Sequence, residues 1–60
     1  MKFQVELKYS AREPMFVTEL DVPNTNILEA KFAAVDVAKK LAWYSGHKTQ
    51  PKTVNVFQLK

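Results

Sequence analysis

The first nine residues, MKFQVELKY, alternate without a break: Met1, Phe3, Val5, Leu7 and Tyr9 against Lys2, Gln4, Glu6 and Lys8. Successive side chains of a β-strand point to opposite faces, so this period of two predicts a strand with one apolar and one wet face. Such a strand is stable only when other elements cover its apolar face, and the rest of the chain has to supply them.

A short polar break at residues 10–13 separates this strand from residues 15–22, a segment rich in β-formers and bracketed by Pro14 and Pro23. It reads as a second, antiparallel strand joined by a hairpin, with Phe16, Leu20 and Val22 facing inward. Asn24, Thr25 and Asn26 then offer side-chain oxygens for a helix cap, and Glu29 follows Asn26 at capping-box spacing. The pattern predicts a helix from near Ile27 to about Ser45. Gly46 is the only glycine in the chain and stands where a helix end needs positive φ, with Pro51 preventing resumption. Residues 52–60 close the chain as a third strand whose apolar positions Val54, Val56, Phe57 and Leu59 change phase midway. That change predicts either a bulge or two partly covered faces.

The order ββαβ gives an α+β fold: a three-stranded antiparallel or mixed sheet with one helix across one face. A helix of about 19 residues spans roughly 28 Å and strands of about eight span roughly 26 Å, so the pieces match in length. A helix this long can step over a neighbouring strand, which favours strand order 2-1-3 with the first strand in the middle.

Sixty residues are read as one small domain over 1–60, and a chain of that size buries only about 60% of the surface its unfolded form exposes. With no cysteine there is neither a disulfide framework nor a thiolate metal site, leaving association as the available source of added stability. The apolar runs are far shorter than the roughly 20 residues needed to cross a bilayer, and the alternating N-terminus lacks a signal-peptide block, so a soluble, cytoplasmic protein without a membrane partner is expected. The net charge of +3 is divided unevenly, with residues 1–30 near −2 and residues 31–60 near +5. An anionic partner is hinted at, although the total is modest beside dedicated nucleic-acid binders.

Functional expectation turns on the helix. At 100° per residue only Glu29, Asp36 and Lys40 gather into a polar stripe. Ile27, Leu28, Ala34, Val35, Ala38 and Ala42 are expected to face the sheet. That leaves a strip from Ala30 through Val37 and Leu41 to Tyr44, and a second from Phe32 to Trp43, with no partner in a chain this short. Surplus apolar surface of this kind marks interfaces. The expected function is therefore a small non-enzymatic binding or regulatory protein, a homodimer or a module docking on a larger protein, through Phe32, Val37, Leu41, Trp43 and Tyr44. The competing expectation is that residues 46–52 fold back over Trp43 and Tyr44. Met15 and Val17 make the second strand's edge another candidate association surface. Short chains that modulate larger partners are often encoded by phage or other mobile elements, an expectation from size alone.

The runner-up partner is nucleic acid. Lys39, Lys40, Lys48 and Lys52 can meet phosphates, or an acidic protein, while Trp43, Tyr44 or His47 stacks on a base. Against it, Lys39 and Lys40 are favourable at any helix C-terminus, and the wet face of the first strand carries no stacking aromatic. Catalysis is not expected. The lone His47 has no cysteine to activate and is read as a solvated loop residue, Ser10 and Ser45 lack a base and orienting acid, and no metal-ligand spacing or phosphate-cradling glycine loop is present. No cofactor and no small-molecule substrate is implied.

Overall fold

The computed structural model describes residues 1–59 and contains three strands, β1 (Lys2–Lys8), β2 (Phe16–Asp21) and β3 (Thr53–Leu59), and one helix, α1 (Ile27–Tyr44). The sheet order is β2-β1-β3 with both pairings antiparallel, the expected arrangement with β1 in the middle. β2 is shorter at both ends than the apolar run in which it lies, because Pro14 and Pro23 stand just outside it. The predicted end of β3 at Lys60 lies outside the described residues.

Register sorts the side chains onto two faces. Phe3, Val5 and Leu7 stand opposite Leu20, Thr18 and Phe16 of β2 and opposite Gln58, Val56 and Val54 of β3, so these share the helix side. The phase change in β3 resolves as two faces rather than a bulge. Pairing runs unbroken from Lys8↔Thr53 to Lys2↔Leu59, which places Val54 and Val56 on the helix side and Phe57 and Leu59 on the other.

Phe3, Val5 and Leu7 are fully buried beneath α1, and each such side chain contributes about 1.5–3 kcal/mol on leaving water. Tyr9 and Val22 close the two ends of this row. The fully buried residues of the helix are Ala30, Ala34, Ala38 and Ala42, spaced four apart on one stripe, with Ala33 and Val35 packed partly buried beside them. This corrects the expected rotation. Leu28, expected against the sheet, points to solvent, while Ala30, expected outside, is in the core. The physical reason is volume: bulky side chains rising from β1 already fill the layer, and only alanines let the helix settle on them at native packing density.

The helix ends lie where the sequence predicts, with Ser45 as the C-cap, but among the described residues only the Asn26 half of the capping box forms. The Asn26 side chain accepts from the backbone N–H groups of Leu28 (3.0 Å) and Glu29 (3.2 Å). At the other end Gly46 has φ +110°, its N–H donates to Trp43 C=O (3.1 Å), and His47 N–H donates to Ala42 C=O (3.0 Å). This paired pattern is a Schellman motif, and it aims the chain after the helix back along its flank.

Candidate protein-association surface

Because the buried stripe of α1 is made of alanines, the large apolar residues of the helix after Ile27, which stands at the head of that stripe, lie to its sides. At 100° per residue, Leu28, Phe32, Val35 and Trp43 form one flank, Val37, Leu41 and Tyr44 form the other, and Glu29, Asp36 and Lys40 run between them on the outside. Lys40 and Asp36 pair there at 3.5 Å, both well exposed, so that link contributes little. Phe32 is 75% exposed, Leu28 63% and Trp43 50%, against 40% for Val37 and Leu41. Tyr44, at the last turn, is 85% exposed. The five residues expected as a partner surface therefore divide between two flanks: Phe32 with Trp43, and Val37 and Leu41 with Tyr44.

The two flanks meet different strands. β2 and β3 both run antiparallel to β1 and hence parallel to each other, so β2–α1–β3 is a crossover, and such crossovers are right-handed in about 98% of cases. That hand turns the Leu28–Phe32–Trp43 flank toward β3. In keeping with it, Lys39 and Trp43 line one hollow with residues 49–51, the segment that leads into β3. The helix also lies closer over β1 and β2 than over β3, so the more exposed flank borders the less covered strand.

The basic and aromatic residues at the helix C-terminus converge only in part. The hollow, about 260 Å³, gathers Lys39, Trp43, His47 and Lys48 beside Tyr9. Lys40 points outward on the polar stripe and Lys52 is tied at its backbone, N–H to Lys8 C=O at 2.7 Å. Lys48 Nζ stands 4.7 Å from the centre of the Trp43 ring, a cation–π contact. Residues 46–52 therefore fold back over part of Trp43 and leave Tyr44 open.

The structure corrects the solvated reading of His47. Its ring stacks on Tyr9 with centroids 4.4 Å apart and planes 17° apart, meets Phe16 edge-on at 6.0 Å, and brings Nδ1 to 3.5 Å from Glu13 Oε2. Sequence reasoning missed this because the contact joins the loop after β1, the start of β2 and the loop after α1; the cue was the Schellman glycine, which fixes where the next residue goes. Burial raises the Tyr9 hydroxyl pKa above its ordinary value, and the Glu13 charge adds to the shift.

Met15 and Val17, the expected edge pair, are both about half exposed, but only Val17 belongs to β2, whose outer rim also carries Glu19 and Asp21. Among the described residues no group of three potential metal ligands gathers, and no helix is long and apolar enough to cross a membrane. Comparison with protein families, with curated proteins and with solved structures finds no match to this chain.

Proposed function

We propose that this chain is a non-enzymatic binding protein that works by protein–protein association, with a second copy of itself as the partner, through the large apolar residues flanking its helix. One observation carries the reading: α1 turns its alanines to the sheet and its leucine, phenylalanine and tryptophan side chains to water. Trp43 is partly covered by residues 46–52, but burial within the chain does not account for Phe32 and Leu28, since Phe is a poorer helix former than Ala or Lys and, left exposed, contributes little. Apolar patches of a few hundred Å² on small proteins mark interaction sites. The polar stripe between the flanks mixes both signs, Glu29 and Asp36 with Lys40, while Lys39 and Lys48 stand beside Trp43 on the flank itself. Light scattering tests the reading: a mass near twice the monomer's that drops to the monomer's in Phe32→Ser/Trp43→Ser supports it. A monomer mass at every concentration opposes it, and a stable complex with an unrelated protein instead would favour the larger-partner alternative.

A second reading, binding of single-stranded nucleic acid, has the hollow of Lys39, Trp43, His47 and Lys48 in its favour. Its weakness is that Tyr9 is already stacked by His47, and Trp43 carries Lys48. It predicts binding that falls steeply with salt and weakens in Lys48→Ala/Lys52→Ala; no retention of an oligonucleotide at low salt excludes it.

A further inference from the structure

The outer edge of β3 is the least protected part of the sheet. Natural edge strands are blunted by charges, prolines or bulges. β2 has Glu19 and Asp21 within it and a proline two residues beyond each end, whereas β3, TVNVFQL, has no charged residue or proline within it and an unbroken register, with Pro51 and Lys52 standing only before its first residue.

Which of its backbone groups are free follows from the pairing at the other side of β1. Met1 N donates to Val22 C=O at 2.8 Å and Val22 N donates to Met1 C=O at 2.9 Å, the mutual exchange of a hydrogen-bonded pair. Antiparallel pairs alternate, so the odd residues of β1 direct their backbone toward β2 and the even ones toward β3. Even residues of β1 stand opposite Thr53, Asn55, Phe57 and Leu59. It follows that Val54, Val56 and Gln58 hold their N–H and C=O groups outward.

We propose, building on the self-association above, that two copies join edge to edge through antiparallel pairing of β3 about Val56, forming one six-stranded sheet. With the two-fold axis at Val56, Val54 of each copy meets the partner's Gln58, and every outward N–H and C=O of the three residues finds a partner. The strand is thus complementary to itself, as an isologous contact requires, and no charge within it is set against a like charge of the partner's strand. Both helices then lie on the same face. Strands about 4.8 Å apart put the two β1 strands roughly 14 Å from each other, and the helices, which lie nearer β2 than β3, at least that far apart, beyond the 8–10 Å of directly packed helices. The exposed flank facing β3 supplies Leu28, Phe32 and Trp43 from each copy to fill that gap. These side chains, with Val54, offer on the order of 400 Å² per copy before the strand edge is counted, against about 800 Å² per partner in a standard interface.

The test uses the full chain. Val56→Cys places one thiol of each copy on the axis at a Cα separation of about 5.5 Å, within disulfide range, in a protein that otherwise has no cysteine. Mild oxidation is expected to give a covalent dimer rapidly, while Thr25→Cys, far from the edge, stays monomeric. In the wild type the amides of Val54, Val56 and Gln58 are expected to exchange slowly with solvent at concentrations where the mass is doubled, and Gln58→Pro, which removes an outward N–H and fixes φ but takes no bond from the pairing with β1, to return the mass to the monomer's. A doubled mass with freely exchanging Val54, Val56 and Gln58 amides, and cross-linking of Val56→Cys no faster than that of Thr25→Cys, overturns edge pairing but leaves association through the helix standing. A monomer mass throughout overturns both.

Discussion

Replacing Ala38 by Leu tests the orientation of the helix, on which the functional reading depends. Ala38 is fully buried in the stripe that rests on the sheet, and the fully buried Phe3, Val5 and Leu7 already fill the layer beneath. Three added carbons have nowhere to go without moving the helix, and overpacking of this kind costs about 1–3 kcal/mol. A 60-residue chain has a total stability of about 3–9 kcal/mol, so the loss is a large fraction of the whole. In a domain this small, each 1 kcal/mol lowers Tm by about 4–8 °C, which makes the expected fall roughly 4–24 °C. Phe32→Ala is the matched comparison. Its ring is 75% exposed, so only about a quarter of the roughly 3 kcal/mol of a fully buried Phe is at stake, and the better helix propensity of Ala returns about half a kcal/mol. Thermal and urea unfolding followed by circular dichroism, repeated at several concentrations to separate folding from association, should show Ala38→Leu far the more damaging in the dilute limit. If Phe32→Ala proved the worse of the two there, the large residues would be holding the monomer together and the proposed surface would not exist.

Other outcomes follow from the same packing. Phe3→Ala empties the centre of the core at a cost of about 3–5 kcal/mol and should leave much of the protein unfolded at room temperature by near-ultraviolet circular dichroism. Gly46→Ala meets no atom within 4 Å of the new Cβ, so its loss of about 1–2 kcal/mol in urea reports backbone strain at φ +110° alone. Asn26→Ala removes both cap bonds and should cost about 1 kcal/mol, recovered in part by Asn26→Ser. Because the folded Tyr9 pKa is raised, its contribution is fully present below the ordinary tyrosine value of about 10 and is lost as pH climbs through the folded value. Urea midpoints of wild type should therefore fall more steeply than those of Tyr9→Phe in alkaline solution, and parallel curves would remove Tyr9 as the cause.

How far the fold is legible in the sequence depends on which interactions decide each feature. The alternation of β1, the Asn26 cap and the Gly46 stop are local, and their chemistry is written in neighbouring residues. The strand order follows from helix length and connection rules. The rotation of α1 is different: Ala30 and Leu28 compete for the same inward position, hydrophobicity favours Leu28, and only the volume of Phe3, Val5 and Leu7 below decides for the alanine. That information lies in residues more than twenty positions away. The surplus of apolar surface is visible in the sequence, but its division into two flanks, and the pairing of one with the unguarded edge of β3, requires the sheet. His47 escapes sequence reasoning for a similar reason, since its partners Tyr9, Glu13 and Phe16 come from the opposite end of the chain.

Trp43, the only tryptophan, stands half exposed on the flank that faces the proposed partner, so acrylamide quenching of its fluorescence across a dilution series tests association most directly. Restricted quenching in concentrated solution that relaxes on dilution, in step with a halving of mass, is the expected result. Quenching that stays unchanged from the most concentrated to the most dilute sample, with the mass fixed at the monomer's, would contradict it.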